Sequence, residues 1–118
     1  MPKRKREFWY ISEVRPSSGR VDIVVTVIKI QALKKFFKGD EIHRVAEVLV
    51  GDRTGITVLV VWDDLIDKVK EKETYIIRNL RPKMYKNQMR MICTKDSTIE
   101  TAPFKIPIKE INVAPKLR

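Results

Sequence analysis

Short β-branched apolar runs alternate along this chain with turn signals. From Val21 to Ile30 the sequence reads VDIVVTVIKI, with Val21, Ile23, Val25 and Val27 on one face and Asp22, Val24, Thr26 and Ile28 on the other. That pattern predicts a first long strand. The basic stretch QALKKFFKGD ends in a Gly-Asp turn signal, so residues 31 to 41 read as a connecting loop before strand character resumes from His43 to Val50. Gly51-Asp52-Arg53-Thr54-Gly55 reads as a tight hairpin: two glycines can take positive φ, and the Asp and Thr side chains can bond nearby amides. The third strand, Ile56 to Trp62, places Thr57, Leu59 and Val61 on one face and Ile56, Val58, Val60 and Trp62 on the other.

The next segment, Asp63 to Val69, predicts a short helix with Asp63 or Asp64 as N-cap and with Leu65, Ile66 and Val69 sharing a face. Thr74 to Leu80 makes a fourth strand, residues 81 to 88 (RPKMYKNQ) a basic loop, and Met89 to Thr94 a fifth strand. Beyond Lys95, Pro103, Pro107 and Pro115 predict an extended tail or a segment laid along the body. Five strands with a short helix between the third and fourth is the order of an all-β oligonucleotide-binding (OB) barrel, with an SH3-like barrel as the alternative. The expected organisation is a basic arm at residues 1–10, the barrel at 11–95 and a Pro-containing tail at 96–118.

Composition narrows the chemistry. A chain of 118 residues that is 43% hydrophobic suffices for one core without disulfides or metal. Cys93 and His43 are the only residues of their kinds, which excludes an internal disulfide and leaves too few ligands for a zinc site. There is no Gly-rich phosphate loop and no nucleophile with a base, so no catalytic residue and no cofactor is expected, and the protein is not read as an enzyme. No apolar run approaches the roughly 18 residues of a membrane span, and MPKRKREFWY lacks a signal-peptide core. An intracellular protein is expected, in the cytoplasm or nucleoid, or in the nucleus if PKRKR at residues 2–6 acts as an import signal.

Charge points to the partner. Lys and Arg number 25 against 15 Asp and Glu, a formal net charge of +10, and setting aside Lys3, Arg4, Lys5 and Arg6 still leaves +6. A polyanion is the natural ligand for such a body. Between Ile23 and Gly39 no acid occurs, and Lys34, Lys35 and Lys38 interleave there with Phe36 and Phe37. Single-stranded nucleic acid calls for that pairing of types, because phosphates need cations and unstacked bases offer a π-face to flat side chains. Either Phe could instead close the barrel end as core.

A second acid-free stretch runs from Arg78 to Lys95, centred on Tyr85. In an OB barrel the connections between strands one and two and between strands four and five flank one groove, so the two basic, aromatic segments are expected side by side. Trp62 lies out of phase with Thr57, Leu59 and Val61 and is expected on the groove side, with a core Trp as the alternative. Trp9 reads as a staple for the N-terminal arm. The acids around Asp63 to Glu73 read as a solvated helix with a favourable dipole interaction.

The segments AEVLVGDRTGITVLVVWDD and RNLRPKMYKNQMRM resemble the single-OB single-stranded DNA-binding proteins of archaea and their eukaryotic relatives, over about Ile11 to Met91. The resemblance implies that Trp62 and Tyr85 stack bases, and that the protein binds and protects single-stranded DNA in replication or repair. Two departures stand out. Arg81 occupies about the place of an aromatic, and Ile56, Val58 and Val60 are apolar where relatives carry polar or basic groups. The expected stacking set is Trp62, Tyr85 and one of Phe36 or Phe37. The expected phosphate contacts are Lys34, Lys35, Lys38, Arg44, Arg81, Lys83, Lys86 and Arg90. Two rival readings are an RNA or tRNA binder using the same groove, since stacking does not read the 2′-OH, and a protein-interaction module or self-associating subunit using the Ile56, Val58, Val60 face.

Overall fold

The computed structural model describes residues 7–113. Five strands follow in order: β1 (Val21–Lys38), β2 (Glu41–Asp52), β3 (Gly55–Trp62), β4 (Thr74–Tyr85) and β5 (Gln88–Thr101). They close into a barrel in the order β1-β2-β3-β5-β4, with β3 and β5 parallel and every other pair antiparallel. This is the OB barrel, and the SH3-like alternative falls away.

Closure depends on β1. Its first part, Val21 to Thr26, pairs with β4, and from Thr26 onward it pairs with β2. Register shifts at Val21/Ile23, Val27/Lys29 and Ile30/Ala32 bend it from one neighbour to the other. The alternation seen in the sequence becomes the core: Ile23, Val25, Val27, Val48, Val50, Leu59, Val61, Ile77 and Leu80 are fully buried inside the barrel. Cys93 is buried among them, and burial pushes its thiol up to about 12.

Both expected loops are strand instead. Residues 31–38 continue β1, and residues 81–85 continue β4, each turning back within two residues. Gly39 supplies positive φ at the first turn, while Lys86 and Asn87, at φ 51 and 67, make the second. The fifth strand, expected to end at Thr94, runs on to Thr101. The expected short helix is a 3-10 helix, Asp63–Lys68, with Ile66 and Val69 buried and Leu65 packed against the core. Neither aspartate is its N-cap: Trp62 occupies that place, and Asp63 sits inside the helix at φ 47.

The hairpin between β2 and β3 is held by Asp52 as expected. Its carboxylate accepts from Thr54 N, Thr54 Oγ1 and Gly55 N, and also from Ile11 N of the N-terminal segment. Its glycines are not at positive φ. Gly51 is required by close approach, since a Cβ there would stand 2.5 Å from Ile111 Cγ2. Ile111 belongs to the segment after β5, which lies along the barrel. Ile106 anchors it through a buried network in which Thr26 Oγ1 donates to Ile106 O and Ile106 N donates to Thr74 Oγ1. At the other terminus Trp9 bridges to Ile23 of β1, the place expected of a staple. PKRKR and Pro115 lie outside the described residues.

Candidate nucleic-acid interface

Paired residues on neighbouring strands point to the same side of a sheet, so the register assigns every side chain to a face. On β2 and β3 the outward pairs are Val45 with Trp62, Glu47 with Val60 and Leu49 with Val58. From β1, Phe36 joins them opposite His43 and Lys34 opposite Val45. From β5 and β4, Arg90 lies beside Val58 and opposite Lys83, Ile92 beside Val60 and opposite Arg81, and Tyr85 opposite Gln88. One continuous face thus carries Phe36, Trp62, Tyr85, Lys34, Arg81, Lys83 and Arg90.

The two hairpins are not side by side, as expected, but rise from opposite ends of β3. Because β2 is antiparallel to β3 and β5 is parallel to it, the β1–β2 tip passes the Trp62 end and the β4–β5 tip passes the Ile56 end. At about 3.3 Å per residue the aromatic ends lie roughly 13–20 Å apart along β3. Between them Val60 is only 7% exposed, so the apolar stripe offers a partner little beyond Ile56 and Val58. Those two help line a cleft of about 730 Å³ with Leu49, Met89, Lys86 and Gln88.

At the first end Phe36 meets Trp62 edge-on, with ring centroids 6.1 Å apart, and stacks on His43 at 5.5 Å. Trp62 remains 38% exposed. Asp63, the residue after Trp62, fixes this corner: its Oδ1 accepts from Arg44 N at 2.9 Å and its Oδ2 lies 3.0 Å from His43 Nδ1. Glu41 holds the other ring nitrogen at 3.2 Å. The hydrogen bond to Asp63 raises the His43 pKa above its ordinary value, against the opposing effect of desolvation. The same bond, with the Arg44 amide, lowers that of Asp63.

At the second end the Arg90 guanidinium lies under the Tyr85 ring, 4.7 Å from its centroid, and NH1 donates to Glu47 Oε2 at 2.8 Å. Arg90 is therefore a support for Tyr85 with its charge answered by Glu47. Lys86 Nζ stands 5.3 Å from the same ring. Lys34, Lys35, Lys38, Arg81, Lys83 and Lys86 have no ion-pair partner among the described residues.

Three expected contacts lie elsewhere. Phe37, Lys35 and Arg44 occupy the opposite face of the β1–β2 hairpin, paired with Ile42, Arg44 and Lys35 respectively. Arg44 is moreover committed to Asp67, both of whose carboxylate oxygens accept from its guanidinium at 3.2 and 3.0 Å. Glu47, His43 and Ile92 belong to the groove face but were not singled out from the sequence. The alternation His43, Val45, Glu47, Leu49, in phase with the Trp62 side of β3, is the signal that identifies the first and third of these four as groove residues.

Residues 14–101 match the family described as single-stranded DNA binding protein Ssb-like, OB fold. An uncharacterized protein of Arabidopsis thaliana is 29% identical over 121 residues, spanning 93% of this chain and 79% of that one. The replication factor A related protein of Methanobacterium thermoautotrophicum superposes with a TM-score of 0.70 at 20% identity, over 85% of this chain and 96% of that chain. DNA-binding domain A of S. cerevisiae replication protein A does so with a TM-score of 0.66 at 16% identity, over 86% and 98%. At such identities these structures speak for the fold, and the family match covers most of the barrel. The chain belongs to the Ssb-like OB-fold family of single-stranded DNA-binding proteins.

Proposed function

We propose that this protein binds single-stranded DNA with little sequence preference, across the face between the two hairpins. The observation that carries the reading is the arrangement of that face. Exposed aromatics stand at both ends, Phe36 with Trp62 and Tyr85 on its Arg90 support, and cations with no ion-pair partner among the described residues lie along the edge between and beside them. Stacking on rings accepts any base, and Lys34, Arg81, Lys83 and Lys86 answer the phosphates. Lys86 is exposed at the turn, with its Nζ 5.3 Å from the Tyr85 ring. Arg90 is not a phosphate contact in this reading, and Phe36 rather than Phe37 is the stacking Phe. Membership of the family and the DNA-binding domain named among its structural likenesses support the choice of ligand.

The test is removal of one platform at a time. Trp62→Ala and Tyr85→Ala are each expected to cost about 1–3 kcal/mol of oligo-dT binding, roughly fivefold to 150-fold in Kd. Wild-type affinity in both variants would refute the stacking face. Oligo-U measured alongside oligo-dT decides whether the groove prefers DNA or RNA.

A further inference from the structure

The β1–β2 hairpin extends beyond the barrel. Pairing of β1 with β4 ends at Thr26, and pairing of β2 with β3 ends at Trp62, but β1 and β2 stay paired to Lys38 and Glu41. Ile30 N still donates to Glu71 Oε2. From Gln31 to Lys38 the outer edge of β1 has no strand neighbour among the described residues, so its outward N–H and C=O groups are open to an added strand.

The side of this arm turned away from Trp62 carries three exposed apolar residues on either side of the Lys35–Arg44 pair. Leu33 lies opposite Ala46 and Phe37 opposite Ile42, on one face of the two strands. Leu33 is 56% exposed, Phe37 75% and Ile42 60%. Single exposed apolar residues need no explanation, but a cluster beside an open edge marks an interaction surface. Its surroundings are cationic. Lys34, Lys35 and Lys38 have no ion-pair partner among the described residues, Glu41 is turned to His43, and Asp40 at the tip is the other acid of the turn.

We propose that this open edge and apolar face dock an extended acidic segment of a protein partner, which adds to β1 as a further strand. Strand addition draws affinity from main-chain hydrogen bonds and specificity from alternate side chains. Apolar residues of the incoming segment would cover Leu33 and Phe37, and its acids would meet the lysines. A second copy of this chain suits the site poorly, because each copy brings a net charge of +10. Nucleic acid suits it less well: of the three apolar side chains only Phe37 has a flat face, Leu33 and Ile42 being branched aliphatics, and an open strand edge alternates donors with acceptors that repel phosphate.

The experiment uses the full chain, labelled for NMR, and a synthetic peptide of about eight residues alternating Val with Asp, a usual strand length. Amide shifts and exchange protection are expected at residues 31–38, with none from the same peptide carrying Lys for Asp. The double substitution Leu33→Ser, Ile42→Ser, both exposed and outside the groove face, is expected to weaken the peptide at least about tenfold while oligo-dT affinity stays within twofold. The proposal is overturned by absence of binding, by equal binding of the Lys peptide, or by shifts confined to the Trp62 and Tyr85 groove. Loss of oligo-dT binding in the double variant would assign the face to nucleic acid instead. A concentration-dependent dimer abolished by the same substitutions would assign it to a second copy.

Discussion

Replacing Glu47 by Gln removes a negative charge from the middle of the groove while leaving an amide oxygen to accept the Arg90 N–H. In the wild-type protein that bond is 2.8 Å long and the Arg90 side chain is 17% exposed. Arg90 is therefore neutralised and contributes no released counterion. With Gln at position 47 its charge becomes available to a phosphate passing Tyr85. Each phosphate contact on a single strand contributes about −0.7 to the log-log salt slope, so the slope should steepen by about that amount. Between 50 and 200 mM salt the variant should lose about 2.6-fold more affinity than wild type, starting from tighter binding at the low end. Stability should fall by about 1 kcal/mol or less, since a charge-assisted hydrogen bond becomes an ordinary one at a partly exposed pair. Fluorescence anisotropy with labelled oligo-dT and urea unfolding give the two quantities. An unchanged slope together with weaker binding would refute the reasoning, because Glu47 would then be touching the ligand rather than restraining Arg90.

Other positions give independent checks. Gly51→Ala places a Cβ 2.5 Å from Ile111 Cγ2 and 3.0 Å from Ile56 Cγ2. Such overpacking should cost about 1–3 kcal/mol in urea unfolding, and wild-type stability would mean that the C-terminal segment does not press on the barrel there. His43, with its raised pKa, stabilises fully below its unfolded value of 6.5 and loses that contribution as pH rises through the folded one. Asp63, with its lowered pKa, contributes above 3.8 and loses its part as pH falls through the folded value. The Tm advantage of wild type over His43→Gln should thus be greatest between pH 3.8 and 6.5 and shrink as pH rises above that window; a flat difference would contradict the His43–Asp63 bond. Cys93, buried and pushed up to about 12, should react with a thiol reagent only at the rate of unfolding, and rapid labelling in the folded state would contradict its place in the core.

How much of this was readable from the chain follows from what each segment buries. Strands that line the core announced themselves, because the inward positions of Val21 to Val27 and Ile56 to Trp62 recur at every second residue and are buried. The outer halves of the hairpins did not. QALKKFFK and RPKMY have no fully buried face beyond Pro82, so no alternation marks them as strand, and cationic runs there resemble a loop. Tip placement was hidden for another reason: it depends on β5 running parallel to β3, a property of topology rather than of either segment. Pairings such as Arg44 with Asp67 and Arg90 with Glu47 join residues 23 and 43 positions apart and exist only once the barrel closes. Gly51 looked like a turn glycine and proved to be a contact glycine, because the segment carrying Ile111 returns over it.

The central claim is that the face bounded by Phe36, Trp62 and Tyr85 binds single strands through stacking and a small number of phosphate contacts. A tryptophan-fluorescence titration with oligo-dT across a salt series tests it most directly. Quenching of Trp62 on binding is predicted, with a log-log slope of about −3 from Lys34, Arg81, Lys83 and Lys86 at about −0.7 each. Affinity that does not change with salt, or binding that leaves Trp62 emission untouched, would contradict the account.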